Sequence, residues 1–183
     1  MADLLDEATR DATERLKARV QRLFGRSLHI RHVDAGSCNA CESEIKLLTN
    51  PYYDIQRLGI FFTTSPRHAD LLLVTGPVTR AMEDPLRQTY EAMPDPRLVV
   101  AVGACACSGG IFGPSAFSLG GVGEVLPVDV FIPGCPPSPL TLIHGLLLAL
   151  GRAEQRMHGS TQSVRSSRPL QLLSPGSGEK ELH

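Results

Sequence analysis

Leu71-Leu72-Leu73-Val74 is an apolar run with no polar alternation, closed at once by Gly76-Pro77. A strand with one wet face alternates, so a run of this kind predicts a strand covered on both faces, as in a parallel sheet flanked by helices. The rest of the chain carries the matching parts. Residues 27–33 alternate, with Leu28, Ile30 and His32 on one face and His29, Arg31 and Val33 on the other, and they end at Asp34-Ala35-Gly36. Further strands are expected at 59–64, 98–102 and 128–132, and helices at 42–48, 82–92 and 140–152. Strands alternating with helices argue for an α/β fold, a flavodoxin-like doubly wound parallel sheet. In such a sheet the ligand sits beyond the carboxyl ends of the strands.

Three of the expected strands run into cysteine-bearing turns: Ser37-Cys38-Asn39-Ala40-Cys41-Glu42, Gly103-Ala104-Cys105-Ala106-Cys107-Ser108-Gly109-Gly110 and Pro133-Gly134-Cys135-Pro136-Pro137. Five cysteines make an odd number, and a reducing compartment keeps thiols free, so metal binding is a better reading than a disulfide framework. With Cys38, Cys41, Cys105 and Cys135 as ligands the spacing is C-x2-C-x63-C-x29-C. One short pair and two distant single cysteines, set among Gly and Pro, can surround a bulky iron-sulfur cubane. Structural zinc is the main rival, but zinc sites commonly pair two short knuckles and only one is present. A thioredoxin-like redox C-x-x-C is a second rival, and it leaves Cys105 and Cys135 without a role. Cys107 shares a turn with Cys105, and an extended backbone would point the two side chains apart. Cys105 is chosen because it directly follows the strand and Gly103. Cys107 then reads as a buried free thiol acting as a small apolar residue.

Composition narrows the partners. A net charge of −1 gives no general attraction to nucleic acid or anionic lipid, and the absence of Trp removes a common base-stacking platform. The apolar stretch 140–150 is too short to span a bilayer and is interrupted by Thr141 and His144. The acidic start, Met1 to Glu7, lacks the order of a secretion signal, so a cytoplasmic location is expected. Three regions follow: an amphipathic helix in 1–26, a cluster-binding α/β domain in 27–157 and a polar, disordered tail in 158–183. The helix stripe, Leu4, Leu5, Ala8, Ala12, Leu16, Val20 and Leu23, fits packing on its own domain or docking to a partner. Its mixed charge does not favour a membrane interface.

At these motifs the chain resembles the small, cluster-bearing subunit shared by energy-converting (group 4) nickel-iron hydrogenases and respiratory complex I, where it is the B-type subunit of NADH-quinone oxidoreductase. The resemblance covers about 28–152. It includes the segment from Asp34 to Glu42, Ser65-Pro66-Arg67-His68-Ala69-Asp70, the segment from Thr75 to Met82, and Ile132-Pro133-Gly134-Cys135-Pro136-Pro137. The complex I members usually carry adjacent cysteines at the first motif, whereas Cys38, Cys41 and Glu42 follow the hydrogenase pattern, most similar to the formate hydrogenlyase type. Cys107 and the tail after His158 depart from the family. The resemblance also agrees with Cys105 as third ligand.

The resemblance implies one 4Fe-4S cluster, proximal to a nickel-iron centre held by a separate large subunit. Such a chain conducts electrons in a membrane-associated oxidoreductase complex and does not itself activate hydrogen. The implied partners are a nickel-iron hydrogenase large subunit or its D-type counterpart in complex I, a ferredoxin-like electron-transfer subunit, and membrane subunits that hold the chain peripherally on the inner face of the cell membrane. The alternative is a complex I-like subunit passing electrons to quinone. Glu42 is a candidate for proton movement or partner contact, against the simpler reading of a carboxylate favoured at a helix N-terminus. Arg67 and Arg80 are candidates for stabilising a negative cluster or pairing with a partner, against plain surface positions. His68 and His144 are not expected as ligands, since four thiolates complete a cubane.

Overall fold

The computed structural model describes residues 2–157. The expected disordered tail, 158–183, lies outside the described residues. Five parallel strands form the sheet: β1 (Leu28–Asp34), β2 (Ile60–Phe62), β3 (Leu71–Thr75), β5 (Leu98–Val102) and β7 (Val130–Ile132), in the order β2-β1-β3-β5-β7. Counted within this sheet the order is 2-1-3-4-5, the flavodoxin-like doubly wound arrangement. A second, two-stranded antiparallel sheet pairs β4 (Val78–Thr79) with β6 (Ser118–Gly120).

The apolar runs are buried on both faces, as their lack of alternation requires. Leu71, Leu73, Leu98, Val100 and Val102 face one core, and Leu72, Val74, Val99 and Ala101 face the other. The first core is covered by α1 (Ala2–Phe24), α2 (Ala40–Leu47) and α5 (Pro139–Met157). The second lies under Leu86 of α3 (Arg80–Glu91), Ala106 of α4 (Gly103–Ser108) and the 122–126 segment. Ala12, Leu16 and Val20 of α1 are buried with Leu146, Ala149, Leu150 and Ala153 of α5. Arg19 and Arg22 both reach Glu154 across this pair, at 3.4 and 2.7 Å.

Two departures from the sequence reading have local causes. The strand expected at 59–64 is only Ile60–Phe62, because β2 is an edge strand that leaves β1 after Thr63 donates to the Ile30 carbonyl. The segment after β5 is not an extended turn but the helix α4. The backbone after Val102 begins to coil at Gly103, which has φ +89°. Cys105 and Cys107 still point to opposite sides, for a different reason: two residues of α-helix turn by about 200°.

Candidate metal centre

Each cysteine segment is delivered by a strand exit. After β1, Asp34 Oδ1 accepts the backbone N–H groups of Gly36 (2.8 Å) and Ser37 (2.7 Å), folding the chain back toward Cys38. These hydrogen bonds together outweigh burial and hold the Asp34 carboxyl below its ordinary value. Asn39 takes a left-handed backbone, φ 69°, and α2 starts immediately, carrying Cys41 in its first turn. After β5, α4 carries Cys105. After β7 the Gly134 carbonyl accepts from Ala104 N–H at 2.7 Å, tying the Cys135 loop to the start of α4.

The four thiols at these exits belong to one electrostatic group. Burial pushes the Cys41 thiol up to about 11, and negative charge on Glu42, Cys38, Cys105 and Cys135 adds to the effect. Burial likewise raises Cys105, with Cys135 and Cys38 contributing. Thiols crowded in this way resist ionisation until a cation compensates. Cys41 and Cys105 are half-buried, whereas Cys38 and Cys135 are exposed. Among the described residues, no group of three or more His, Cys, Asp or Glu side chains converges tightly enough to hold a single metal ion.

Glycine lets two of the sulfurs lie close against backbone. A Cβ on Gly103 would stand 2.6 Å from Cys41 Sγ, and one on Gly110 would stand 2.9 Å from Cys105 Sγ. Both have positive φ, so an L side chain is disfavoured at each on backbone grounds as well. A four-thiol donor set with backbone drawn close to the sulfurs fits an iron-sulfur cluster. Cys107 lies apart: its Sγ is 3.7 Å from the Ala101 carbonyl, it packs against the second core, and burial raises its thiol.

Other candidates are sorted by position. Glu42 is buried, 8% exposed, in the first turn of α2. Arg80, at the start of α3, is committed to the chain itself, its Nε donating to the Ala116 carbonyl at 2.8 Å and its Nη2 to that of Ser115 at 3.2 Å. It clamps the loop that presents Ile111, Phe112 and Phe117 to solvent, Ile111 being 94% exposed. Arg67 is exposed on the Pro66–His68 turn, at the N-terminal end of β3, whereas the cysteines cluster at the carboxyl ends. The expected role for Arg67 beside a cluster therefore meets the wrong edge of the sheet. His68 and His144 are exposed.

Two residues of the site are not among the candidate site residues read from the sequence. Thr75, the last residue of β3, is fully buried, and its hydroxyl donates to Glu42 Oε1. His32 Nε2 lies 3.0 Å from Thr75 Oγ1 and 3.7 Å from Glu42 Oε1. Burial lowers His32 against the opposing pull of Glu42 and Asp34. Because the one Thr75 proton goes to Glu42, the contact with His32 needs a proton on Nε2. The signals in the sequence are a polar residue ending an apolar strand and a histidine on the same face as Leu28 and Ile30.

The chain is 42% identical over 158 residues to formate hydrogenlyase subunit 7 of Escherichia coli (strain K12), covering 86% of this chain and 62% of that protein. It thus spans less than two thirds of that relative. To the probable membrane-bound hydrogenase subunit mbhJ of Pyrococcus furiosus it is 42% identical over 156 residues, covering 85% of this chain and 93% of the relative. Among solved structures, a chain of the membrane-bound sulfane sulfur reductase, an archaeal respiratory membrane complex, superposes with a TM-score of 0.62 at 33% identity, covering 78% of this chain and 76% of that one. Residues 38–149, which begin at the first thiol and extend past the last, match the family described as NADH ubiquinone oxidoreductase, 20 Kd subunit, and the chain belongs to that family.

Proposed function

We propose that this chain holds one 4Fe-4S cluster on Cys38, Cys41, Cys105 and Cys135 and serves as the electron-transfer small subunit of a membrane-associated nickel-iron hydrogenase. The observation that carries the reading is the delivery of four mutually interacting thiols by three strand exits, with Gly103 and Gly110 leaving room at the sulfurs. The bound group supplies one-electron chemistry. The chain's own part is to position the thiolates, to bury Cys41 and Cys105 partly, and to set the charge around them.

Electrons must enter and leave through partners, and the surface is suited to that. Ile111 and Phe112 follow Gly110 at the Cys105 end, and they and Phe117 of the same loop are large apolar side chains left exposed, available to a partner. The partner is a large subunit carrying the nickel-iron centre, with a ferredoxin-like subunit and membrane subunits completing the complex. No described helix is long and apolar enough to cross a membrane, which supports peripheral attachment through partners. The C-x-x-C-Glu pattern and the two hydrogenase relatives favour this branch. The alternative is a complex I-like subunit passing electrons to quinone, supported by the family's own description.

The test is the iron, nickel and zinc content of the native complex, captured anaerobically through a tag on this chain. Iron with nickel is expected. Iron without nickel would select the quinone-reducing branch or a nickel-free relative, and zinc without iron would overturn electron transfer altogether.

A further inference from the structure

β3 ends between β1 and β5, so Thr75 emerges between two of the cysteine-bearing exits. A hydroxyl has one proton, and Thr75 gives it to Glu42 Oε1 while its oxygen accepts from His32 Nε2. The carboxylate is thereby held in one place, directly following Cys41 in sequence. Its second oxygen, Oε2, is buried without a hydrogen-bond partner among the described residues. Thr75 is in register with Val102, and the next residue, Gly103, stands against Cys41 Sγ, so the carboxylate held by Thr75 lies near that sulfur and repels negative charge there. The same repulsion acts on an electron added to a cluster bound through that sulfur.

We propose that Glu42 lowers the reduction potential of the cluster by its fixed charge, and that Thr75 is a positioning residue that keeps the carboxylate beside Cys41. This rests on the ligand assignment proposed above. Glu42 is not a ligand and need not exchange a proton for the effect. What matters is a charge in a poorly screened place, close to the group whose charge changes by one on reduction.

The test uses the complex captured anaerobically through a tag on this chain. Iron is quantified, and the cluster is titrated with dithionite at one pH while the signal of its reduced form is followed by electron paramagnetic resonance. Glu42→Gln keeps the shape and removes the charge, so its midpoint should rise with iron content unchanged. Thr75→Val removes the hydroxyl and frees the carboxylate to move away, which should give a smaller rise, and Thr75→Ser should restore the original value. In the Glu42→Gln background Thr75→Val should add nothing, because Thr75 acts through that charge. An unchanged or lower midpoint in Glu42→Gln overturns the proposal, as does loss of its iron, which would make the role structural. A Thr75→Val shift that persists in the double variant overturns the positioning role. An unsubstituted complex with no iron-sulfur signal would instead sink the ligand assignment itself.

Discussion

Gly103→Ala probes the cradle of the metal centre directly. At φ +89° an alanine sits in left-handed backbone at a cost of roughly 1–2 kcal/mol. Its Cβ would also stand 2.6 Å from Cys41 Sγ. Comfortable contacts are about 3.5–4 Å, so an overlap of about 1 Å must be relieved by moving Cys41 or the start of α4. Overpacking of this kind adds roughly 1–3 kcal/mol, for a total of roughly 2–5 kcal/mol. Gly113→Ala is the matched control. Its φ is +54° and no atom lies within 4 Å of its Cβ position, so only the backbone cost applies. Urea unfolding of the purified proteins separates the two: with a slope of about 2 kcal/mol/M, the extra overlap lowers the Gly103→Ala midpoint by roughly 0.5–1.5 M below that of Gly113→Ala. Iron retention should fall in the first variant and not in the second. Equal midpoints together with equal iron would refute the idea that Gly103 is present to admit the Cys41 sulfur.

Three further outcomes are expected elsewhere in the fold. Gly145→Ala on α5 would place a Cβ 2.1 Å from Ile132 Cδ1, so it should destabilise by about 1–3 kcal/mol, and Ile132→Val, which removes that methyl, should recover part of the loss in thermal unfolding. Arg26→Ala should cost about 1–2 kcal/mol in the same assay. It strips two hydrogen bonds, at 3.1 and 2.6 Å, from the buried Asp70 carboxylate and leaves that from His29 N–H, but the guanidinium is 55% exposed and its charge is partly screened. Asp34 is favoured as a carboxylate in the folded chain, so its contribution is present above its unfolded value of 3.8 and is lost as pH falls through the lower folded value. Stability measured from pH 6 downward should therefore show a smaller acid loss in Asp34→Asn than in the parent, and identical acid profiles would count against the hydrogen bonds to Gly36 and Ser37 as its source.

The parts of this protein that are legible in its sequence are those governed by local chemistry. Continuous apolar runs at 71–74 and 98–102 cannot be satisfied by a one-faced sheet, and the burial of alternate residues in two separate cores follows from that. Cysteines just past strand exits are placed at one edge of the sheet by the strand pattern alone. The helical path of 103–108 is not readable in the same way, because Gly103, Ala104, Cys105, Ala106 and Cys107 carry neither a strong periodic pattern nor a side-chain cap. Arg67 and Arg80 look alike as isolated cations near family-like motifs. Only the return of the chain to the N-terminal end of β3 separates Arg67 from the cysteines, and only the fold of the 109–117 loop gives Arg80 its carbonyl partners.

The thiols, their spacing and the parallel sheet are thus determined by the sequence alone, since they depend on residue type, strand period and the positions of Gly and Pro. The environment of those thiols is decided by tertiary structure. Thr75 and Glu42 are 33 residues apart, and His32 and Thr75 are 43 apart, yet they are joined through hydrogen bonds because β1 and β3 are neighbours in register, Asp34 opposite Thr75. No local pattern encodes that adjacency. It arises from strand order, and with it come the burial of Glu42 and the charge it places beside Cys41.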